Sequence, residues 1–288
     1  MKKNQNKIQQ FQLSPLAKAG IAIKNLGEAR RDEDHDSSKP HRDYHYLLML
    51  ATNGSFRFTI DFQEIIISMP ALLLISPGQV HHTMEMKAPE GWAIAFDPSL
   101  MDPEILHVME KSFQGPVTLD LQSNFYHHVV TLVDLMAQLQ SSGLNGHSVQ
   151  AQHSLLDALL DLIAEKLTPQ PAAGSQTTFK RAAIIEQTFN QLLKQHYKTW
   201  KQPAQYAAEL HISVAHLYEI VKGITGNSVS LQIQQYSILE AKRLLYLTNL
   251  SVKEISYELG YDEPVYFGKL FKKITSLTPL QFRQQYRD

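Results

Sequence analysis

One pattern of residues occurs twice in the C-terminal part of the chain, at an interval of about 50 residues. Tyr206-Ala-Ala-Glu-Leu210 is matched by Ile255-Ser-Tyr-Glu-Leu259, and Thr225-Gly-Asn-Ser228 is matched by Thr275-Ser-Leu-Thr278. Similarity at a fixed interval indicates that one small structural unit is repeated. Each copy predicts a short helix, a tight turn and a second helix. We therefore expect this part of the chain to fold as two helix-turn-helix units.

Residues at the expected helix ends support the first copy. Pro203 suits the first position of a helix, where its missing N–H leaves no hydrogen bond unmade. Ser213 is expected to cap the second helix of this copy. The segment 229–247 carries apolar residues at helical spacing, so we expect it to be a long helix that joins the copies.

The second copy has its own helix-end signals. Ser251-Val-Lys-Glu254 has the capping-box form, in which the serine caps and the glutamate reaches back. Gly260 is expected to end that helix in the left-handed conformation. Asp262 or Glu263 is expected at the cap of the second helix of this copy, with Pro264 at or near its first turn. From spacing alone, a helical bundle with no role in DNA binding remains an alternative.

Charge is divided unevenly along the chain. Residues 179–288 hold 14 basic and 9 acidic side chains, a net +5, whereas residues 1–178 hold 13 and 19, a net −6. A basic C-terminal part favours a polyanionic partner such as nucleic acid. The absence of cysteine excludes disulfides, thiolate catalysis and cysteine-ligated zinc. With no apolar run of membrane length and no signal-peptide pattern, we expect a cytoplasmic protein without a membrane span.

The segment 44–96 has the pattern of short β-strands. Phe56, Phe58 and Ile60 alternate with polar residues, as in a half-buried strand. Asn53-Gly54 predicts a tight hairpin turn, and Pro77-Gly78 predicts a second turn. Several short strands without intervening helices indicate a small barrel or sandwich.

Two amphipathic helices and a linker are expected between the strands and the repeat. Apolar residues recur at helical spacing from about Leu121 to Leu167, with a break at Ser141–His147. Their apolar faces either cover the barrel or meet a second copy of the chain. Thr168–Thr178 contains two prolines and no charge, as in a linker. The expected domains are therefore 1–167 and 179–288, joined by the linker 168–178.

The residues of both copies form one ordered motif over about 90 residues. Its members are Tyr206-Ala-Ala, Leu210, Ser213, Leu217, Lys222, Thr225-Gly, Ser228, Glu240-Ala-Lys-Arg-Leu-Leu245, Ser251-Val, Glu254-Ile255, Leu259-Gly-Tyr-Asp262, Tyr266-Phe267, Phe271-Lys-Lys273, Thr278-Pro and Phe282-Arg283. This motif resembles the DNA-binding domain of the AraC/XylS family. The resemblance implies a transcription regulator, most simply an activator, whose partners are double-stranded promoter DNA and the transcription machinery.

The resemblance also implies which residues meet DNA. Two recognition helices, Val214–Gly223 and Pro264–Ile274, enter successive major-groove segments about one helical turn apart. The residues implied at the groove or at phosphate are Ala215, Tyr218, Glu219, Lys222, Glu263, Val265, Tyr266, Lys269, Lys272 and Lys273. Lys269 suits guanine and Val265 a thymine methyl group, whereas Glu219 either accepts from cytosine or lies on a solvated helix face. Lys272 and Lys273 suit phosphate contacts.

Four residues depart from the family pattern. Ser237 stands where arginine is usual, Val221 where phenylalanine is usual, Ser276 where glycine is usual and Ser256 where alanine is usual. These are mostly packing positions, so we expect them to lower stability in the first unit rather than to alter base contacts. The second unit, with intact caps and a more basic face, is expected to provide most of the phosphate anchoring.

The N-terminal part resembles the cupin-like effector domain found in one branch of the same family. The matching residues are Asn53-Gly-Ser55, Thr59-Ile-Asp-Phe-Gln63, Ile75-Ser-Pro-Gly-Gln-Val-His81 and Gly91-Trp92. The implied fold class is α+β in two domains, a cupin-like barrel with flanking helices followed by the all-helical repeat. The implied partners are a small-molecule effector, in some relatives a sugar, and a second copy of the chain. Candidate pocket residues are Arg42, His45, Tyr46, His81, His82 and Trp92.

Histidines are concentrated at His41, His45, His81 and His82. The His-x-His with a following glutamate that cupin enzymes use for metal is absent, and Asp61 comes only after a further strand. The sequence therefore predicts neither a metal site nor any other cofactor, and no enzyme. A cupin metalloenzyme fused to a DNA-binding module, a regulator without an effector and a protein-interaction adaptor are the alternatives.

Overall fold

The computed structural model describes residues 10–13, 17, 19–27, 36–168 and 176–287. The chain divides into two compact units, one of residues Gln9–Gln170 and one that includes Pro171–Asp288. We call them the sheet unit and the helical unit. Within the described part of the chain, no helix is both long and apolar enough to cross a membrane.

The described residues of the sheet unit form eight strands in one mainly antiparallel sheet. They are β1 Gln10–Phe11, β2 Ile21–Asn25, β3 His41–Asp43, β4 Tyr46–Ile60, β5 Gln63–Ile67, β6 Ala71–Ile75, β7 Val80–Phe96 and β8 Val117–Thr118. The pairing order is β1-β3-β7-β4-β6-β8, with β2 added to β7 and β5 added to β4. Among the described residues these pairings form an open path and not a closed ring.

The hairpin predicted at Asn53-Gly54 is wrong. Strand β4 continues through these two residues, with irregular pairing to β7 on both sides of them. Gly54 has φ +94°, and a Cβ there would lie 2.3 Å from the Ala88 carbonyl oxygen, so the glycine allows the two backbones to approach. The chain reverses instead at Asp61-Phe62, both with positive φ, between the paired residues Ile60 and Gln63.

The alternation along β4 serves two separate cores. Leu48 and Leu50 lie in a cluster with Ile94 and Phe96 of β7. Phe56 and Phe58, as expected for a half-buried strand, lie in a second cluster with residues of β5 and β6. The turn predicted at Pro77-Gly78 is confirmed and connects β6 to β7.

Three α-helices follow strand β7 among the described residues, and the short strand β8 lies between the first two. They are α1 Pro103–Ser112, α2 Asn124–Ser141 and α3 His147–Leu167, and the sequence predicted only the last two. Val133 of α2 and Leu159 and Ile163 of α3 are fully buried in the cluster that holds Leu48 and Leu50. Burial of each such side chain contributes roughly 1.5–3 kcal/mol. Of the two roles left open for these apolar faces, covering the sheet is therefore the one observed.

Helix α2 also holds strand β2 through one amide side chain. Gln140 Nε2 donates to the carbonyl oxygen of Ile23 at 2.8 Å, and the N–H of Ile23 donates to Gln140 Oε1 at 2.9 Å. The two bonds reproduce the pairing that a neighbouring strand would provide.

Seven helices are formed by the part of the helical unit that the structure describes. They are α4 Gln176–His196, α5 Pro203–Glu209, α6 Val214–Thr225, α7 Val229–Leu247, α8 Val252–Glu258, α9 Pro264–Thr275 and α10 Pro279–Tyr286. The two predicted helix-turn-helix units are confirmed as α5–α6 and α8–α9, joined by α7. The predicted linker falls largely on residues 169–175, which lie outside the described residues, and its last three residues already belong to α4.

Most of the predicted helix ends are confirmed. Ser213 accepts from the N–H of His216 at the start of α6, and Ser251 and Glu254 form the reciprocal capping box of α8. Gly260 has φ +74°, the expected left-handed conformation. The N-cap position predicted for α9 is confirmed at Glu263, although its side chain makes no capping bond there. Pro264 at the first position reduces the number of N–H groups that need a partner.

Candidate functional site

The recognition helices α6 and α9 each have one buried and one exposed face. Leu217, Ile220 and Val221 of α6 are buried, as are Phe267, Leu270 and Phe271 of α9. Residues at the intervening positions must then face away from the core, because an α-helix repeats every 3.6 residues. The interface predicted from the sequence lies on these outward faces.

On α6 the outward face is short and of mixed charge. Ala215, Glu219 and Lys222 are exposed. Tyr218 is half-buried, and its hydroxyl lies 2.5 Å from the Ser230 hydroxyl at the start of α7. His216, which the sequence reasoning did not single out, is exposed, and its Nδ1 lies 3.5 Å from a carboxylate oxygen of Glu219.

On α9 the outward face begins with apolar side chains and ends with cations. Val265 is 69% exposed and Tyr266 is 54% exposed, which is unusual for side chains of this size. Lys269, Lys272 and Lys273 are exposed along the rest of the helix, and Glu263 is exposed at its start. Lys272 and Lys273 lie in the last turn, where the helix dipole favours positive charge.

Packing beneath each recognition helix fixes its orientation. In the first unit, Leu217 and Val221 pack against Phe189 of α4 and Tyr206 of α5. In the second unit, the ring of Phe271 meets Phe282 of α10 edge-on, with 5.7 Å between ring centres.

Arg283 of α10 binds the end of the connecting helix α7. Its guanidinium donates to the carbonyl oxygens of Leu245 at 3.1 Å and Leu250 at 2.5 Å. These are among the carbonyl groups at or beyond a helix C-terminus that have no partner within the helix. Arg283, a member of the motif, therefore has a structural role.

A second contact joins the segment after α4 to the second unit. Lys201 Nζ donates to the carbonyl oxygen of Leu259 at 2.6 Å and lies 4.4 Å from the ring centre of Tyr261. Burial lowers the pKa of Lys201 to about 8. Next to it, a Cβ on Gly260 would lie 1.7 Å from the carbonyl oxygen of Lys198, so the close approach depends on glycine. The two helix-turn-helix units are thus tied together at two places, α7 and Lys201.

Of the four residues that depart from the family pattern, three are buried packing residues, and Ser276 is exposed. Val221 and Ser237 are fully buried. Ser256 is also buried, and its hydroxyl donates to the carbonyl oxygen of Tyr261 at 3.2 Å. Ser276 ends α9 with φ 65°, where Gly226 ends α6 with φ 74°. The C-terminal end of α9 is therefore less favourable than that of α6, whereas the capping box of α8 in the second unit is intact, as expected from the sequence.

The pocket residues predicted in the sheet unit fall into two groups. Tyr46 stacks on Phe96 and donates to Glu110 Oε1 at 2.7 Å, and burial together with Glu110 raises the pKa of its hydroxyl. Trp92 packs against the same apolar cluster, so the structure places these two in the core beneath the helices. His45 and His81 instead meet around Asp43.

These residues belong to a buried group that we call the His–Asp cluster, made of His41, Asp43, His45 and His81. Their exposed fractions are 1%, 4%, 8% and 4%. The Nε2 atoms of His45 and His81 each lie 3.4 Å from Asp43 Oδ2, and that of His41 lies 3.9 Å from Asp43 Oδ1. Arg42 and His82 occupy alternate positions on β3 and β7 and are only partly buried.

Asp43 was missed in the sequence because the search was for a glutamate that follows a His-x-His pair. Burial opposes ionisation of Asp43, but interaction with His81, and then with His45 and His41, outweighs it and holds the pKa of Asp43 below its usual value. The carboxylate is therefore charged at neutral pH, deep in the sheet unit.

Comparison with known proteins gives matches in both parts of the chain. Residues 206–285 match the helix-turn-helix domain family. The MmsAB operon regulatory protein of Pseudomonas aeruginosa is 23% identical over 270 residues, which cover 91% of this chain and 82% of that protein. The uncharacterized HTH-type transcriptional regulator YisR of Bacillus subtilis is 29% identical over 92 residues, which cover 32% of this chain and 32% of that protein. Among solved structures, the C-terminal domain of AraT, a response regulator from Geobacillus stearothermophilus, is 26% identical with a TM-score of 0.35, covering 36% of this chain and 87% of that chain.

Proposed function

Because the chain belongs to the AraC/XylS family of transcription regulators, we propose that it binds promoter DNA with α6 and α9 in successive segments of the major groove. The carrying observation is the exposed face of α9, where Val265 and Tyr266 precede three lysines. A relative that spans most of the chain is named as an operon regulatory protein, and the chain is a regulator and not an enzyme.

The exposed faces of α6 and α9 support different roles for their residues, some in contacts with bases and others in contacts with phosphate. On α9, Lys269 donates to a guanine, Val265 and Tyr266 make apolar contacts with bases, and Lys272 and Lys273 bind phosphate. On α6, the exposed residues Ala215 and Lys222 contact the DNA. Tyr218 is held by Ser230 and Glu219 lies beside His216, so both contribute less to base reading than the sequence implied.

Substitutions at Lys269 and Lys273 test whether the first contacts a base and the second contacts phosphate. The wild-type protein first selects a preferred site from a pool of random DNA, and anisotropy titrations then compare this site with unrelated DNA. Lys269→Ala should weaken binding to the selected site by about 1–3 kcal/mol and leave binding to unrelated DNA almost unchanged. Lys273→Ala should weaken both by the same factor and reduce the slope of affinity against salt by about one.

A control substitution at Lys111, in the last turn of α1 of the sheet unit, should change neither affinity. If Lys269→Ala leaves specific binding intact, or weakens both DNAs equally, the base-reading role of Lys269 is wrong.

We propose in addition that the sheet unit is a cupin-like effector domain that controls an activator and forms a homodimer. Support comes from the mainly antiparallel sheet and from the His–Asp cluster. Burying four ionisable side chains opposes folding, and a role in binding a ligand would explain why they are buried together. His45 and His81 are then effector contacts, whereas Tyr46 and Trp92 shape the core. Effector and operator DNA must change each other's affinity by the same factor, which paired titrations measure.

A further inference from the structure

Strand geometry places the members of the His–Asp cluster on one face of the sheet. His41 and Asp43 are two residues apart on β3, so their side chains lie on the same face. His81 of β7 is the direct partner of His41 in the β3–β7 pairing, and their ring centres are 4.3 Å apart. His45 follows β3 and brings a third imidazole to the same carboxylate.

The distances within the cluster match those between ligands of one metal ion. One donor atom from each of His41, Asp43 and His81 can be chosen so that all lie within 4.8 Å of one another. The nearest imidazole-to-carboxylate distances are 3.4 Å, 3.4 Å and 3.9 Å. A four-coordinate zinc ion with ligands at ~2.0–2.1 Å places neighbouring ligand atoms about 3.3 Å apart.

Hydrogen bonds fix the imidazole rings in the orientation that a metal requires. His81 Nδ1 lies 3.1 Å from the carbonyl oxygen of Gln79, and His41 Nδ1 lies 2.7 Å from that of Lys39. A carbonyl oxygen only accepts, so each Nδ1 donates to it and each ring turns its Nε2 towards Asp43. Metal-binding histidines are held in the same way, with the other ring nitrogen donating to a backbone carbonyl.

The carboxylate oxygens of Asp43 also suit a bound cation. Among the described residues, neither of its oxygens has a hydrogen-bond partner of good geometry, although both are buried. Around these oxygens, the Nε2 atoms of His41, His45 and His81 lie 3.4 Å to 3.9 Å away. A dication held by His41, Asp43 and His81 would give this carboxylate and the two imidazoles a common partner.

We propose that His41, Asp43 and His81 bind one divalent transition-metal ion of the zinc class. Imidazole and carboxylate ligands suit zinc, iron and manganese, and the chain offers no cysteine that would favour softer ions. The site rests on the geometry of the sheet unit alone. Only the further step, that this ion is the effector, rests on the proposed function.

Zinc binding to the full-length chain tests the site without DNA. Protein stripped with a chelator is titrated with Zn²⁺ by calorimetry, and bound metal is measured by mass spectrometry after dialysis. We expect one ion per chain. Co²⁺ bound in its place should give the visible absorption of a four-coordinate site with nitrogen and oxygen ligands.

Asp43→Asn and His81→Gln should each lower zinc affinity by more than the ~10–100-fold that loss of an outer-shell partner causes. His128→Gln, at an exposed position on α2, is the matched control and should bind as wild type. Circular dichroism shows which variants fold. Because the Co²⁺ spectrum is measured on the wild-type chain, a variant that fails to fold does not decide the outcome.

The proposal is overturned if the wild-type chain binds no stoichiometric zinc, or if folded Asp43→Asn binds it as tightly as wild type. Binding of zinc with no effect on DNA affinity would leave the metal site standing and refute only its role as effector.

Discussion

Ser276 and Gly226 occupy the same position in the two repeated units, and both have left-handed backbones. A side chain in this conformation is strained, whereas glycine adopts it freely. We expect Ser276→Gly to raise the free energy of unfolding by about 0.5–1 kcal/mol, even though glycine also gains freedom in the unfolded chain. Urea unfolding of the full-length protein measures the change.

The reverse exchange at Gly226 is the matched control. A Cβ at Gly226 meets no atom within 4 Å, so Gly226→Ser changes the backbone conformation energy without a clash. It should lower the free energy of unfolding by a similar amount. If both exchanges shift stability in the same direction, backbone strain is not what distinguishes the two helix ends.

The sequence alone pointed to the histidines of the sheet unit, but it did not point to Asp43, the carboxylate that they surround. His41, His45 and His81 were grouped from the sequence, and the structure brings them together around Asp43. The alternation His41-x-Asp43-x-His45 was a usable signal, because alternate residues of a strand share a face. His82 lies at the next position of β7, which turns it away from the other three.

Helix α7 carries a buried ion pair between Arg243 and Glu240, one turn apart. Both side chains are 5% exposed, so removing one charge leaves the other in a poorly solvated place. Arg243→Met is expected to lower the free energy of unfolding by about 3–5 kcal/mol. The double variant with Glu240→Met should recover much of that loss, since apolar residues replace both charges.

The surface pair of Lys198 and Glu258 is the control for burial. Its atoms are 2.5 Å apart, but the side chains are 45% and 50% exposed. Lys198→Met should lower stability by less than about 1 kcal/mol. Equal losses at the two pairs, or a double variant on α7 no more stable than Arg243→Met, would contradict the assignment of the buried pair.

Elements with strong local signals were predicted correctly, and elements decided by long-range pairing were not. Helices α2 and α3 followed from helical spacing, and the capping box at Ser251 followed from four residues. Asn53-Gly54 is a good turn sequence, yet pairing with β7 keeps it within a strand. The real turn at Asp61-Phe62 includes a phenylalanine, a residue that carries no turn signal.

At the scale of the whole molecule, the two compact units should unfold in two separate calorimetric transitions. Zinc at about 100 times its Kd should stabilise the sheet unit by about 2.7 kcal/mol, and the selected DNA site should stabilise the helical unit in the same way. Each ligand therefore raises the temperature of one transition, which differential scanning calorimetry resolves.

The Asp43→Asn variant distinguishes the stabilisation by zinc from the stabilisation by DNA. This variant should lose the shift with zinc and keep the shift with DNA, because the substitution lies in the sheet unit alone. One single transition, moved equally by both ligands, would show that the units do not unfold independently.

Strand β2 pairs only with β7 among the described residues, and such a border strand offers backbone groups to any strand from another molecule. At Ile23 those groups are already taken by the amide of Gln140. An incoming strand would have to displace α2 before it could extend the sheet. One glutamine thus protects this border from the sheet-to-sheet growth that leads to aggregation.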